Sequence, residues 1–298
     1  MKVLEVPSSL DYRGIEELMA KAVTVEPDKL LLDGRHTRFV DPAGMIGLLG
    51  VGRFLQSRGA ERVRLQMDPA SEVSGYLARM GFYQAASGIF EVDAPPERAR
   101  GRSSDVLLEI TPIAENQDVH ALVEHVQERA GSILSRTLHY PPSAVVQFSV
   151  ILSEVCQNIL EHAGAPGWVA AQTYQWSRRL GRQVLVIAVG DLGRGFRGSL
   201  ESEHAGRFGA RWSDSTALEA AFIHGLTRFP DQGRGQGIQQ IRKQVRRWGG
   251  VIAVRSGSAR IADTSEWEEF PPLEDGLADF PGAWITILLP EADPEGGK

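Results

Sequence analysis

The sequence is nearly devoid of cysteine, with Cys156 standing alone. A single thiol forms no internal disulfide and is no basis for a metal site. There is also no excess of positive charge: 38 acidic residues face 32 basic ones, for a formal net charge of −6. Binding a phosphate backbone needs a basic surface, so direct nucleic-acid binding is not expected. No apolar run approaches the roughly 20 residues that span a bilayer. The N-terminal stretch MKVLEVPSSLDYRG has no apolar core of the kind a secretory signal carries. The expectation is a soluble, cytoplasmic protein without a membrane partner. What is present is a chain of 298 residues, 42% of them hydrophobic. That supports ordinary globular cores and a size of two domains or one large one.

The clearest seam is Asp93 to Ser104, DAPPERARGRSS. Proline, glycine, arginine and serine without apolar periodicity read as a linker. The expected division is residues 1–93, a linker over 94–104, a second domain over 105–292 and a short tail over 293–298. Before the seam, short apolar runs (Val3–Val6, Leu30–Leu32, Val63–Met67, Ile89–Val92) alternate with helical spacing (Asp11–Val23, Pro42–Ser57, Pro69–Met80). That alternation predicts a small α/β layer structure. After the seam, the pattern predicts a strand over Val106–Ile110 and helices over Asn116–Leu134 and Ser143–Ala163, with Ser143 as N-cap. Strands follow over Trp168–Trp176 and Val184–Val189. A glycine-rich and then polar stretch leads to helices over Asp214–Leu226 and Gly237–Trp248, and Val251–Arg255 and Trp284–Leu289 close the chain. The overall fold class is α/β (α+β).

Three segments carry chemistry. In the first, Ser153 to Ala163, Glu154, Asn158 and His162 recur every fourth residue and so share one helix face. A carboxylate can orient or deprotonate water or a hydroxyl. An amide oxygen one turn away is a hard ligand suited to Mg²⁺. The second, Val189 to Phe196, sets Asp191, Gly193 and Gly195 just after an apolar strand. Asp191 can accept a hydrogen bond from an exocyclic amine, and the glycines let backbone pass close to a ligand. The third, Gly233-Arg234-Gly235-Gln236-Gly237-Ile238, opens a helix and presents free N–H groups of the kind that bind phosphate. It lacks the Lys-Ser/Thr of a Walker A loop, and it follows a helix and a loop, unlike a dinucleotide fingerprint. Alone, each segment has a commoner reading: a solvated helix face, a turn, a glycine-rich loop.

In order, the three resemble the N box, G1 box and G2 box of the GHKL ATPase superfamily. The resemblance extends to Asp214–Gly225, similar to the helix before the ATP lid of anti-sigma-factor members. It extends also to the Gly-Gly strand entry at Trp248–Ile252 and to the closing strand Gly282–Pro290. It covers Asp105 to Pro290, with Ala283 standing where the family usually has threonine. It implies ATP and Mg²⁺ as cofactors and assigns roles residue by residue. Glu154 falls at the general base and Asn158 at the Mg²⁺ ligand. Asp191 falls at the group that reads adenine N6, and Gly193 and Gly195 at the adenine-side loop. Gly233, Gly235, Gln236 and Gly237 fall at the phosphate loop.

Lys29 to Met67 resembles a STAS domain, the fold of anti-sigma-factor antagonists, with its usual first hairpin shortened. Where that family commonly reads Asp-Ser-Ser-Gly and accepts phosphate on serine, this chain reads Asp41-Pro42-Ala43-Gly44. With no hydroxyl there, phosphorylation at that turn is chemically excluded. The two resemblances together imply a Mg-ATP-binding regulatory protein, a slow ATPase or a serine/threonine kinase acting on a protein partner in trans. The alternative is an ATP-gated interaction module in which Phe196 to Gln232 folds over ATP or ADP as a lid, with little turnover. Related domains often dimerise, which leaves a homodimer among the expectations. Cys156 is expected buried and inert, Arg242, Lys243, Arg246 and Arg247 a solvated face, and Thr264 to Phe280 a hairpin excursion.

Overall fold

A computed structural model describes residues 1–93, 107–176, 180–228, 237–268 and 270–292; the side chains of residues 127–132 and of 162 lie outside that description. The fold is mixed α/β, with a four-stranded parallel sheet, a two-stranded parallel pair and a seven-stranded antiparallel sheet among the described residues.

The N-terminal layer contains strands β1 (Lys2–Glu5), β2 (Ser9–Leu10), β3 (Lys29–Asp33), β4 (Phe39–Val40), β5 (Arg62–Gln66) and β6 (Glu91–Val92). Between them lie helices α1 (Gly14–Thr24), α2 (Pro42–Ser57), α3 (Glu72–Arg79) and α4 (Phe82–Ala85). Four strands form a wholly parallel sheet in the order β1-β3-β5-β6. Parallel strands need crossovers, and helices supply them. β2 and β4 form a separate parallel pair that the sequence did not announce, because two residues carry no period. The helix expected over Pro69–Met80 is shorter and is followed by α4. Ser71 caps α3 by accepting from Ser74 N at 3.1 Å, and Gly81 turns the chain at φ +74°.

The second part contains β7 (Leu108–Ile113), α5 (Asn116–Arg136), α6 (Pro142–Asn158), β8 (Gly167–Trp176) and β9 (Arg182–Asp191). It continues with α7 (Gly195–Phe208), α8 (Asp214–Phe222), α9 (Gly237–Arg247), β10 (Val251–Gly257), β11 (Ala259–Asp263), β12 (Leu273–Glu274) and β13 (Phe280–Pro290). Seven strands run in the order β12-β11-β10-β13-β9-β8-β7, every neighbour antiparallel. Side chains alternate across such strands. Leu185, Ile187 and Val189 of β9 face the core under α5, α6, α8 and α9, whereas Val184, Val186 and Ala188 face the N-terminal layer.

Four expectations change. The N-cap of α6 is Pro141, with Pro142 in the first turn, in place of Ser143. The helix expected to run unbroken to Ala163 becomes a π turn over Ile159–Ala163. The polar stretch from Gly195 to Ser213 is mostly helical, as α7 and a 3₁₀ turn at Gly209–Arg211. The stretch Pro142–Glu161 also has the length and composition of a membrane span, although it contains no unbroken apolar run; much of it packs into the core through Phe148, Leu152, Val155 and Cys156. The linker over 94–104, the tail over 293–298, and Gly233, Gly235 and Gln236 lie outside the described residues.

The N-terminal layer is seated directly on the antiparallel sheet, and one apolar core runs through both. α2 is buried from Pro42 through Gly52. A helix apolar all round is a buried helix. Its glycines follow from that position. A Cβ on Gly47 would overlap Ile15 of α1, and one on Gly50 would overlap the indole of Trp284 in β13. A mid-helix glycine costs about 1 kcal/mol relative to alanine; the close approach of two neighbours offsets that cost. Polar groups also cross the seam. Arg255, 3% exposed, donates to Glu16 of α1 at 3.2 Å and to the carbonyls of Gly257, Ala278 and Phe280. Arg13 pairs with Glu268, and Tyr12 packs on Phe270 at 5.1 Å. The excursion between β11 and β13 therefore clasps the N-terminal layer.

Candidate functional site

On the helical face of the antiparallel sheet lies a cavity of about 360 Å³. Glu154, Asn158, Asp191, Gly195 and Gly237 all line it. They come from α6, the end of β9, the start of α7 and the start of α9, separated by up to 83 positions in the chain (237 − 154). Ligand pockets commonly occupy about 300–1,000 Å³ with a few convergent polar groups.

α6 supplies Glu154 and Asn158 one turn apart, while Val155 and Cys156 turn into the core. The Cys156 thiol is fully buried, and burial pushes its pKa up to about 12, so it is unreactive. A π turn follows Asn158, and the side chain of His162, the third residue of the expected stripe, lies outside the described residues. Such turns often occur at functional sites. Here it directs the carbonyl of Ala163 to accept from Arg194 N at 3.0 Å. Gly193 lies so close to the Ala163 backbone that any Cβ there would overlap it. Gly193 thus shapes the loop without lining the cavity.

Asp191 is 4% exposed. Its Oδ1 accepts from Gly193 N at 2.7 Å, and the Ala283 backbone N–H also favours the charged carboxylate. Burial raises its pKa to about 6, and the two backbone donors pull the other way. At neutral pH it is mostly an ionised acceptor with two oxygens. It can take a further N–H from a ligand in the cavity.

The Glu154 carboxylate, also lining the cavity, lies against the first residue of α9. A Cβ on Gly237 would come within 2.6 Å of Glu154 Oε2. A helix start carries free N–H groups and partial positive charge. Among the described residues no group of three or more His, Cys, Asp or Glu is placed to hold a metal. A divalent ion beside Asn158 would draw its remaining oxygen ligands from a bound substrate and water, as Mg²⁺ does with phosphates.

Sequence reasoning missed the α7 wall, where Phe196, Ser199 and Leu200 line the cavity with Thr227. The signal was present in the four-residue recurrence of Phe196, Leu200 and His204. His204 is buried, and its Nε2 bonds the carbonyl of Thr227 at 2.8 Å. Gly195 opens α7 at φ +63°, where a Cβ would meet Ser256 Oγ, and Phe196 N donates to that hydroxyl at 2.9 Å. Of the basic cluster on α9, Lys243, Arg246 and Arg247 are exposed as expected. Arg242 is not: it donates to Asp263 at 2.8 Å and covers the ring of Phe222.

No protein-family model matches the chain, and no curated protein matches it.

Proposed function

We propose that the chain is a Mg-ATP-binding regulatory protein of the GHKL, anti-sigma-factor type, with a STAS-like layer fused before it. The observation that carries the reading is the meeting of Glu154, Asn158, Asp191 and the Gly237 helix start in one cavity. Those residues are far apart in the chain and are the ones whose motif order resembles the superfamily. The antiparallel sheet under a layer of helices supports the same reading.

In this reading Asp191 accepts the exocyclic amine of adenine, and its burial makes a mismatched base costly. Phe196, Leu200 and Ile285 provide apolar walls for the base. The N–H groups opening α9 receive the phosphates. Asn158 would hold a Mg²⁺ ion beside the phosphates, and that ion would supply charge neutralisation there. Glu154 orients and deprotonates the attacking water or hydroxyl. The product is ADP with either free phosphate or a phosphorylated serine or threonine of a partner.

The hydroxyl acceptor lies in another protein. The Asp41-Pro42-Ala43-Gly44 turn has no hydroxyl and packs at the opposite face of the sheet from the cavity. Thr37 is 3% exposed and bonds the Pro7 carbonyl at 3.1 Å. Phosphate on Thr37 after incubation with Mg-ATP, seen by mass spectrometry, would contradict this assignment.

A second reading, a nucleotide-gated interaction module with little turnover, draws on the extensive seat of the N-terminal layer on the same sheet. Turnover of wild type against Glu154→Ala separates the two. Turnover that disappears in the variant supports the enzyme. Equal, negligible turnover with intact binding supports the gate.

A further inference from the structure

We propose that Trp284 is a positioning residue for the cavity, and that through it the docked N-terminal layer sets the affinity for nucleotide. The proposal rests on the nucleotide reading above. β13 alternates at this point: Ala283 and Ile285 line the cavity, and Trp284 between them faces the N-terminal layer. The residue before Ala283, Gly282, lies against the Asp191 backbone carbonyl. Trp284 pairs across the strands with Gly190, the residue before Asp191.

The indole is held from two sides. A Cβ on Gly190 would overlap its six-membered ring, and so would a Cβ on Gly50 of α2. Its Nε1 donates to the Pro281 carbonyl at 3.0 Å. Next to that carbonyl, Gly282 adopts φ +88° and lies against the Asp191 backbone, where any Cβ would overlap. Moving the indole therefore moves Gly190 and Asp191 on one strand and Pro281 to Ala283 on the other. Of those segments, Asp191 and Ala283 line the cavity. A close-packed interior transmits such a shift and does not absorb it. The two states are an indole seated against Gly50 and an indole displaced from it. Coupling of this kind is reciprocal, so bound nucleotide also tightens the seat of the N-terminal layer.

The test is a double-mutant cycle on the full chain, with ATP affinity measured by calorimetry in wild type, Gly50→Ala, Trp284→Phe and the double variant. Gly50→Ala pushes on the indole, and Trp284→Phe shortens the ring that it meets. The expected result is a loss of roughly five-fold or more in Gly50→Ala, with much of it recovered in the double variant. A lowered melting temperature with unchanged affinity, or a loss that Trp284→Phe fails to recover, overturns the proposal. Hydrogen exchange on wild type serves if Gly50→Ala does not fold. Mg-ATP is expected to slow exchange both around Asp191 and in α2. Protection around Asp191 alone overturns the coupling. Protection nowhere, with no saturable titration, overturns the nucleotide reading itself and the coupling with it.

Discussion

Strands β9 and β13 have opposite surroundings on their two faces. On one face they floor a cavity of about 360 Å³ and carry the buried carboxylate of Asp191. On the other they meet α1 and α2 with only about 30 Å³ left between them. The residues responsible are neighbours in sequence: Gly190 beside Asp191, and Trp284 between Ala283 and Ile285. The hollow face holds a desolvated charge and a gap that packing alone would close. The filled face supplies the apolar burial, the indole clamp and the ion pairs that keep the strands in place. A site can be left open where the reverse of its floor is packed.

The comparison can be broken at either face, and the expected effects fall in order. Under the enzyme reading, Glu154→Ala lowers turnover by roughly 10²–10⁴-fold while leaving the melting temperature near wild type, read by a coupled ADP assay and thermal denaturation. Trp284→Ala, on the filled face, is expected to cost about 3–5 kcal/mol of stability, measured by urea unfolding. Asp191→Ala is expected to weaken ATP binding by roughly 10–100-fold, the range for losing a hydrogen bond to a charged group. If it instead unfolds the chain, Asp191 belongs to the packing and the contrast between the faces fails.

The smallest effect is a pH dependence on the filled side. Asp41 caps α2 by accepting from Gly44 N at 2.8 Å, and its Oδ2 has no hydrogen-bond partner among the described residues. Burial raises its pKa to about 7. A raised carboxyl pKa means that the folded state holds the proton more tightly. The stabilisation is full below the ordinary carboxyl range near 4 and is lost as pH rises through about 7. Asp41→Asn keeps the cap and does not titrate. Its melting temperature is expected to exceed wild type at pH 8, with the gap narrowing toward pH 5. A constant gap would show that Asp41 is already ionised in the fold across that range.

The parts of this arrangement legible in the sequence were those with long periods or ordered motifs. α2 was readable from Pro42 to Ser57, and its structural bounds agree. That it lies between two sheets was not, because an apolar helix names no partner; only its glycines hinted at close neighbours. The meeting of Glu154, Asn158, Asp191 and Gly237 in one cavity was an expectation carried only by the resemblance of the three ordered segments. The burial of Asp191 was not, since it depends on Ala283 and Gly193 arriving from elsewhere. α7 was hidden by Gly195, Gly198 and Gly206, which weaken a helical pattern, and by a mostly polar composition. β12 was too short to stand out, β11 breaks its apolar run with Arg260 and Asp263, and Phe270 gave no sign that it would reach Tyr12.

The central claim is that the hollow face of this sheet takes Mg-ATP. The most direct measurement is calorimetric titration of the full chain with ATP, once with Mg²⁺ and once with a chelator. The account predicts saturable binding at one site per chain, tighter with Mg²⁺ than without. A flat titration under both conditions would contradict it.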